Sequence, residues 1–386
     1  MKFKHFWGEI LHIDDLKLLN FRNYSSLNLS FDKNINIFVG NNGEGKTNIL
    51  EAIYLLSLTK SYRTILESDL IQFGSVSCCI SGLVENDGLI KQLGVEIGNG
   101  KKKVSINNKE IKRIRDYISS LITVSFLPDD IQIIKGSPSI RRDLMNIHIS
   151  QLDNEYISYL NDYNKVLKLR NEFLKKLNVN GNANASYLDI INEKLIELSV
   201  VIYKYRFEFI NNINTYIGKY FKKIVGIDGM EIKYINSLNI TDFNEEEIKD
   251  KMLKKFNKNH FQEVSQGVTL IGPHRDDLKF MIDDKDMYLF SSQGQQRIAI
   301  IAFKLSEIDI FKKYKGTYPV LLLDDIFSEI DVKRRNKLIK FLKGDIQTII
   351  TTTDLNDISK DLLKNSSIFI VKNNNVTKKG RRKNGK

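Results

Sequence analysis

Three glycines, a lysine and a threonine follow a short apolar run near the start of the sequence. Residues 40–47 read Gly40, Asn41, Asn42, Gly43, Glu44, Gly45, Lys46 and Thr47, and Ile35 to Val39 precede them. This segment fits G-x-x-x-x-G-K-[ST] at every required position. Glycines let backbone N–H groups converge on phosphate oxygens, while the lysine reaches the outer phosphates and the threonine hydroxyl meets Mg²⁺. The strand-loop-helix context therefore predicts an ATP and Mg²⁺ site rather than an ordinary glycine-rich turn.

Two adjacent carboxylates, Asp324 and Asp325, end a second apolar run that begins at Val320, more than 270 residues after the phosphate loop. A buried strand that ends in an acidic residue can deliver a carboxylate to a metal ion. We expect Asp324, with Thr47, to hold Mg²⁺, and Asp325 to orient or deprotonate the attacking water. Acidic pairs after apolar strands are common in loops, so the assignment depends on the phosphate loop. The predicted catalytic residues are Asp325, Asp324 and Lys46.

A polar segment before another apolar helix offers a further phosphate contact. It reads Ser292, Gln293, Gly294 and Gln295, and the helix follows at 298–305. It looks like the signature motif of ATP-binding-cassette ATPases, in which a serine and a glycine at a helix N-terminus contact the nucleotide of the other subunit. The alternative is a polar N-cap and first turn. Residues 349–354 form the strand end where transporter cassettes place a switch histidine, and threonines stand there in this chain.

The middle of the chain has helical periodicity. Apolar and aromatic residues recur at spacings of four and three, interrupted only at Arg170, in the set Leu152, Tyr156, Tyr159, Tyr163, Val166, Phe173 and Leu177. Ser150, with Asp153 three residues on, predicts the N-cap of this helix. The pattern repeats over 188–209, after a loop at 178–184 that is rich in helix breakers. We expect an antiparallel helix pair, either as a short coiled-coil arm or as part of an ordinary bundle.

Composition narrows the class of protein. The 386 residues are 42% hydrophobic and 27% charged, as in folded globular proteins. No apolar run reaches the roughly 18 residues of a membrane helix, and no signal-peptide core is present, so we expect a cytoplasmic protein without a membrane partner. The two cysteines are adjacent, which fits neither a disulfide framework nor a metal site. Seven of the +12 net charges lie in 372–386, so charge alone does not establish nucleic-acid binding.

The chain resembles the RecF family of recombination mediators, relatives of the chromosome-structure and Rad50-type ATPases. Besides the motifs above, the resemblance rests on segments spread from Leu16 to about Thr353, which is nearly the whole chain. They are Leu18–Tyr24 (LLNFRNY), Thr47–Ile53 (TNILEAI), Lys60–Arg63 (KSYR), Phe126–Asp130 (FLPDD), Lys135–Arg142 (KGSPSIRR), Gly272–Asp277 (GPHRDD) and Leu322–Asp331 (LLDDIFSEID). Residues 1–12 precede the usual start of such proteins. Asp325 stands for the glutamate base of transporter cassettes and Gln293 for their first signature glycine, which suggests slow hydrolysis.

The separation of the phosphate loop from the acidic strand by more than 270 residues predicts that the two chain ends fold together and that the middle forms a helical insertion. The resemblance adds a fold class and a division of the chain. The fold is an α/β ABC-type P-loop ATPase head assembled from both chain ends, with an inserted, mainly helical lobe that carries a short antiparallel coiled-coil-like arm. The predicted segments are an N-terminal extension (1–12), the first part of the head (13–138), the helical insertion (139–263), the second part of the head (264–371) and a basic tail (372–386).

The resemblance also implies a function. It implies an ATP-dependent homodimer in which Lys46 and Thr47 of one subunit and Ser292 and Gly294 of the other enclose ATP. It further implies binding to duplex DNA at single-strand gaps and junctions, cooperation with RecO and RecR, loading of the RecA recombinase in repair, recombination, replication and the SOS response, and a weak, DNA-stimulated ATPase.

The sequence identifies the side chains that contact DNA less specifically than it identifies the ATP site. Basic groups that line a groove between two clasped heads would neutralise backbone phosphates without reading sequence. The candidates are Arg63, Lys101, Lys102, Lys103, Arg141 and Arg142. The alternative for each is an ordinary solvated surface charge.

Three other functions remain open at this point. Another SMC-like ATPase would share the same motifs. An ATPase-coupled nuclease would need a separate acidic metal-binding domain, and no span of the chain is left over for one. A transporter subunit is disfavoured by the long helical insertion, by the threonines at the switch position and by the absence of a glutamine in 125–130.

Overall fold

The computed structural model describes residues 11–180, 185–341 and 345–379. The extension predicted at 1–12 therefore lies outside the described residues except for its last two, and the basic tail except for 372–379. The strands, numbered in chain order, are β1 His12–Phe21, β2 Tyr24–Ser30, β3 Ile35–Val39, β4 Ser77–Asn86, β5 Leu89–Gly98, β6 Lys101–Ile106, β7 Lys109–Glu110, β8 Thr123–Phe126, β9 Met230–Ile235, β10 Asp277–Ile282, β11 Lys285–Asp286, β12 Val320–Asp324, β13 Thr348–Thr352, β14 Ser366–Lys372 and β15 Asn375–Lys378.

The α-helices have very different lengths. They are α1 Lys46–Leu58, α2 Gln132–Lys135, α3 Pro138–Leu152, α4 Glu155–Asn180, α5 Ala185–Val225, α6 Glu245–Gln266, α7 Met287–Phe290, α8 Gln293–Lys315, α9 Val332–Ile339 and α10 Lys360–Lys364. None of the helices in the described part of the chain combines the length and the hydropathy that crossing a bilayer requires.

The chain divides into two compact units. The first unit comprises Met1–Asp130, Tyr220–Gly226 and Ile300–Lys386, and the second comprises Ile131–Lys219 and Ile227–Ala299. The first unit thus takes its residues mainly from the two ends of the chain. The second unit continues beyond residue 263 because β10 pairs with β9, which keeps the residues around 277–282 with the helical middle.

A six-stranded sheet in the first unit brings the two chain ends together. Its order is β15-β14-β3-β13-β12-β8, and it is parallel except at β15. The strands β12 and β13 are buried along their whole lengths, as expected of parallel strands covered on both faces. The strand predicted at Ile35–Val39 is confirmed as β3, and both of its neighbours come from beyond residue 347.

A second sheet of the same unit is antiparallel, with the order β2-β1-β4-β5-β6-β7. Buried residues alternate with partly exposed ones along β4 and with exposed ones over the last four residues of β2, which is the pattern of a sheet with one face on the core. Helix α1 contacts strands of both sheets and is buried over most of its length. The helix therefore holds the residues that follow the phosphate loop between two layers.

In the second unit, helices α4 and α5 pack against each other in opposite directions. The rings of Tyr156 and Tyr205 have centroids 5.3 Å apart, and those of Phe173 and Tyr187, near the other end of the pair, are 5.1 Å apart. The antiparallel pairing predicted from periodicity is confirmed. The three-stranded sheet β11-β10-β9 belongs to the same unit.

Arg170, which interrupts the apolar pattern of α4, is buried rather than solvated. Its guanidinium donates to Glu263 of α6 at 2.6 Å, to Asn192 of α5 at 2.7 Å and to Thr269 at 2.8 Å, and it lies 4.1 Å from the ring centroid of Phe256. The interruption is therefore where a third helix, α6, packs onto the antiparallel pair. This is the bundle arrangement, the second of the two alternatives.

The N-cap predicted at Ser150 is wrong. Residues 150–152 are the end of α3, and α4 begins only at Glu155. The Asp153 side chain accepts a hydrogen bond from the Glu155 amide at 2.9 Å, so Asp153 satisfies an N–H at the start of α4. Two consecutive helices share one periodic pattern here, and the pattern alone did not reveal the break between them.

Candidate nucleotide-binding site

The phosphate loop joins β3 to α1 in the first unit, as its sequence pattern predicts. Gly45 has φ of 101°, a left-handed conformation that strains residues with a side chain, and its surroundings leave no room for one. At Gly40 a Cβ atom would overlap the carbonyl oxygen of Val371 in β14. These two glycines therefore allow the close approach of neighbouring strands and the tight entry into α1, whose N-terminal end follows the loop directly and favours an anion there.

Lys46 is buried, and its ammonium group is held by the loop itself. Its Nζ atom donates to the carbonyl oxygens of Gly40 and Asn41, both at 2.7 Å. Burial lowers the pKa of Lys46, and the negative charges of Asp325, Glu44 and Asp324 oppose that shift. The cation therefore lies among acidic groups but has no direct carboxylate partner among the residues that the structure describes, so its Nζ atom is available to a phosphate.

Asp324 joins the phosphate loop to the end of β12. Its Oδ1 atom accepts hydrogen bonds from the Thr47 hydroxyl at 3.0 Å and from the Thr351 hydroxyl of β13 at 2.6 Å. Burial raises the pKa of Asp324, and these two hydrogen bonds work against the shift. A carboxylate and a threonine hydroxyl in contact are the hard oxygen ligands that Mg²⁺ prefers, so these two residues fit the metal predicted for them.

Asp325 has an unusual backbone and an unsatisfied carboxylate. Its φ of 48° is in the left-handed region, which costs a non-glycine residue on the order of 1 kcal/mol. Its amide donates to the carbonyl oxygen of Thr351 at 3.2 Å and lies 3.1 Å from the hydroxyl of the same residue. Its Oδ1 atom is buried and has no hydrogen-bond partner among the described residues. The strained turn thus holds a free acceptor oxygen beside Asp324.

Thr351 is a site residue that the sequence did not reveal by itself. Its hydroxyl lies between the two acidic residues, donating to the Asp324 carboxylate and contacting the Asp325 amide. The parallel pairing of β12 with β13 sets Asp324 opposite Thr351 and accounts for this geometry. The only signal in the sequence was the run of threonines at the strand end.

A buried carboxylate on α1, Glu51, organises the residues beside the loop. It accepts two hydrogen bonds from Arg22 at 2.9 and 2.6 Å, one from Ser61 at 2.6 Å and one from Arg63 at 3.1 Å. Arg63 also donates to Asn48 at 2.7 Å. Next to this cluster, the Tyr62 hydroxyl is buried and has no hydrogen-bond partner among the described residues. The KSYR segment is therefore attached to the phosphate-loop helix.

The signature residues lie in the second unit and form the start of α8. Ser292 and Gln295 bond reciprocally: the Ser292 amide donates to Gln295 Oε1 at 2.9 Å, and the Gln295 amide donates to Ser292 Oγ at 3.3 Å. This is a capping box, so the polar N-cap alternative describes the local geometry correctly. Ser292 and Gln293 are nevertheless exposed, and Gly294 is partly so. Exposed backbone N–H groups at a helix start are also what a phosphate requires.

The six basic residues proposed to contact DNA differ in whether their side chains already bond to other groups of the protein. Arg141 is buried and forms a two-point ion pair with Asp277 at 2.6 and 2.9 Å, and Arg142 donates to the carbonyl oxygen of Asp276 at 2.8 Å. Lys102 donates to the Thr59 carbonyl oxygen at 2.8 Å and pairs with Glu67. Arg63 is held by Glu51, as described above. Lys101 and Lys103 alternate with Lys102 along β6 and are exposed.

The chain matches a known family over most of its length. The family described as RecF/RecN/SMC N terminal domain matches residues 12–377. DNA replication and repair protein RecF of Lactobacillus johnsonii is 37% identical over 372 residues, which are 96% of this chain and all of the relative. The protein of the same name from Halalkalibacterium halodurans is 37% identical over 373 residues, with the same coverage.

Solved structures agree with the sequence relatives. A structure described as the recombination mediator protein RecF with ATP in the RecFOR pathway has a TM-score of 0.90 and 34% identity, covering 98% of this chain and all of that one. The Smc head domain of Pyrococcus furiosus, bound to the C-terminal domain of ScpA, has a TM-score of 0.54 at 17% identity and shows the common fold alone. The α/β ABC-type ATPase head expected from the sequence is thus confirmed, and the chain belongs to the RecF family of DNA replication and repair proteins.

Proposed function

We propose that this protein is an ATP-dependent DNA clamp that hydrolyses ATP slowly and acts as a recombination mediator at single-strand gaps. In this role it works with RecO and RecR to promote loading of RecA, with DNA stimulating its weak ATPase. Support comes from family membership and from the RecFOR pathway named for the similar ATP-bound structure. The observation that carries the ATP part is the contact of Thr47 and Thr351 with one oxygen of Asp324.

The site residues divide the work of ATP hydrolysis. Thr47 and Asp324 would hold Mg²⁺, which supplies positive charge to the β- and γ-phosphates when bound. Lys46 exchanges the carbonyl oxygens of its own loop for phosphate oxygens, which is easy because the carbonyls are neutral acceptors. Asp325 offers its free Oδ1 atom to the attacking water. An aspartate is shorter than the glutamate of transporter cassettes, which agrees with slow hydrolysis.

The exposed residues around the signature motif support dimerisation. Leu289 and Phe290 of α7 are 66% and 70% exposed, and Ser292 follows them with its side chain also exposed. Large apolar side chains next to a phosphate-binding helix start suit a surface that a second copy covers when ATP is present. In this proposal Ser292, Gln293, Gly294 and Gln295 of one subunit contact the ATP held by residues 40–47 of the other.

Among the candidate DNA contacts, Lys101 and Lys103 support the proposal best. Both are exposed on β6, whereas Arg141 is committed to Asp277 inside the second unit. Lysines of this kind bind phosphates independently of base sequence, so their contribution declines with salt. Replacing both lysines by glutamine should reduce the salt dependence of DNA binding by about one log-log slope unit for each phosphate that is no longer neutralised.

The deciding experiment measures the mass of the purified protein by light scattering with and without Mg-ATP, and then with gapped duplex DNA at two salt concentrations. We expect a monomer that doubles in mass with ATP and then holds DNA in a salt-sensitive way. A protein that stays monomeric with ATP and does not bind DNA would contradict the clamp. That result would favour either a function that requires a partner protein or a role in transport.

Two variants separate the steps. Lys46→Met should lose both ATP binding and dimerisation, whereas Ser292→Arg should bind ATP as a monomer, because only the contact across subunits is removed. A normal ATP-induced dimer of Ser292→Arg would remove the signature contact from the proposal. Nuclease activity with Mg²⁺ or Mn²⁺ that survives Asp324→Ala would favour the ATPase-coupled nuclease instead.

A further inference from the structure

A cluster in the antiparallel sheet of the first unit is independent of the nucleotide site. The Nε2 atom of His12 lies 3.0 Å from an oxygen of Asp14 and 3.3 Å from an oxygen of Glu85. The three ligand atoms all lie within 4.8 Å of one another. His12 is only 2% exposed, while the two carboxylates remain partly accessible, so the imidazole is fixed and the acidic groups can adjust.

The sheet register explains how three residues from two strands converge. His12 of β1 is paired directly with Glu85 of β4, and Asp14 is two residues further along β1, on the same face as His12. The register shifts between Ile13 and Asp15, which is a β-bulge at Asp14. Bulges re-aim side chains and bend the strand. At the bulge Asp14 is not paired with β4, and its carboxylate lies 3.0 Å from the imidazole of His12.

We propose that His12, Asp14 and Glu85 form a zinc-binding site that joins β1 to β4. One imidazole nitrogen and two carboxylate oxygens are ligands that Zn²⁺ accepts, with bonds of about 2.0–2.2 Å. In a tetrahedral arrangement such bonds place neighbouring ligand atoms about 3.3 Å apart, close to the 3.0 and 3.3 Å measured here. A water molecule would complete the coordination at the open side. Zinc also binds such mixed sites more tightly than Mn²⁺ does.

The ammonium group of Lys33 would compete with zinc for the Glu85 carboxylate. Its Nζ atom lies 3.3 Å from the same Glu85 oxygen that faces His12, and its side chain is 56% exposed. Because it is a long and half-exposed side chain, it can turn to solvent when a metal takes its place. The site then predicts that Lys33→Met binds zinc at least as tightly as the natural chain, since a positive charge next to the metal is removed.

The test uses the full-length, untagged protein after chelation and without nucleotide, titrated with Zn²⁺ by calorimetry and with Co²⁺ by visible absorption. We expect one zinc equivalent whose affinity falls at least tenfold in Asp14→Asn and in Glu85→Gln, together with loss of the Co²⁺ absorption band. His260→Gln, a histidine of the second unit, is the matched control and should bind as the natural chain does. Zinc should also raise the unfolding temperature of the natural chain but not that of Asp14→Asn.

Two outcomes would overturn the proposal. The first is zinc binding that is equal in the natural chain, Asp14→Asn and Glu85→Gln, because the metal would then be elsewhere. The second is a folded natural chain that binds no zinc, in which case the three side chains contact one another without a metal. If Glu85→Gln fails to fold, Asp14→Asn decides the question, since Asp14 is 32% exposed and its replacement keeps the size of the side chain.

Discussion

Charged side chains are buried both at the nucleotide site of the first unit and in the second unit, but their hydrogen bonds are less complete at the nucleotide site. In the second unit, Arg170 reaches Glu263, Asn192 and Thr269, and Arg206 lies 3.6 Å from Asp276, whose oxygens also accept hydrogen bonds from Tyr234 and Ser237. In the first unit, Lys46 is bonded only to carbonyl oxygens of its own loop among the described residues, and one oxygen of Asp325 has no partner there.

This difference in hydrogen bonding indicates which buried charges bind a ligand and which hold the fold together. A buried charge with a complete set of partners holds elements together, since removing one partner leaves the other uncompensated. A buried polar atom without a partner costs free energy in the resting protein, and that cost is met only when a ligand supplies the hydrogen bond. By this criterion the nucleotide site, with the free Oδ1 atom of Asp325, is incomplete, whereas the clusters around Arg170 and Arg206 in the second unit are structural.

The largest expected effect is on hydrolysis at the incomplete site. Asp325→Asn should lower single-turnover phosphate release by about 10² to 10⁴-fold, because the amide is no longer a base. Affinity for ATP and thermal stability should stay the same, since asparagine also tolerates the left-handed backbone. Asp87→Asn, an exposed residue with φ of 49° in the β4–β5 turn, is the matched control. A normal rate in Asp325→Asn would show that the base is another group.

The reverse result is expected at the complete cluster. Arg170→Met should lower the free energy of unfolding of the second unit by about 3–5 kcal/mol, because Glu263 is left buried without its partner. Denaturant unfolding measures the loss, and the affinity of the first unit for ATP should not change. Lys168→Met, on the same helix and 80% exposed, is the control. If Arg170→Met lost less than about 0.5 kcal/mol, the typical effect of a surface substitution, the cluster would not be structural.

The pH dependence of the second unit gives a smaller effect. Burial, aided by nearby arginines, lowers the pKa of His274 from 6.5 to about 4, and both ring nitrogens are bonded, one to Tyr163 and one to the Thr269 carbonyl oxygen. Between these two pH values only the unfolded state binds the proton, so stability falls as the pH is lowered through this window. The loss from pH 7.5 to 5 should be about 2 kcal/mol larger in the natural chain than in His274→Gln. The free energy of unfolding is measured with denaturant at both pH values. An equal loss in the natural chain and in His274→Gln would contradict this role of His274.

The smallest effect tests the link between the two acidic residues. Thr351→Val should slow hydrolysis about tenfold, equivalent to roughly 1.4 kcal/mol, because it removes the hydroxyl that bonds Asp324 and meets the Asp325 amide. Thr351→Ser keeps the hydroxyl and should retain most of the rate. The natural chain and both variants are compared by phosphate release at saturating Mg-ATP. Equal rates for the valine and serine variants would mean that the backbone alone places Asp325.

The sequence predicted the local features of this site well. Ile35–Val39 is a strand, α1 begins at Lys46, and a buried strand runs from Val320 to Asp324. These elements depend on apolar runs, glycines and residue order within a few positions. The distance in sequence between the phosphate loop and the acidic strand predicted the assembly of the head from both chain ends, which the parallel sheet confirms.

The features of the site and of the second unit that the sequence did not predict depend on contacts between residues far apart in the chain. Arg141 was a candidate for DNA, yet its partner Asp277 is 136 residues away and makes it part of the second unit. In the sequence Arg170 was visible only as an interruption of the apolar periodicity, because its partner Glu263 is 93 residues further along the chain. The position of the Thr351 hydroxyl between the Asp324 carboxylate and the Asp325 amide follows from strand register, which no local pattern encodes. The left-handed turn at Asp325 was likewise not visible in the sequence.

The neighbours of β3 have a consequence for how the protein is made. Both strands that flank it, β13 and β14, begin beyond residue 347, whereas β3 ends at Val39. At about 5–20 residues per second, a ribosome needs roughly 15 to 60 s to add the chain between them. Throughout that interval β3 lacks both of its neighbouring strands, so we expect that the nascent protein does not yet bind nucleotide. A truncated chain that lacks β13 and β14 should therefore show no ATP binding in a nucleotide-binding assay, even though it contains the whole phosphate loop.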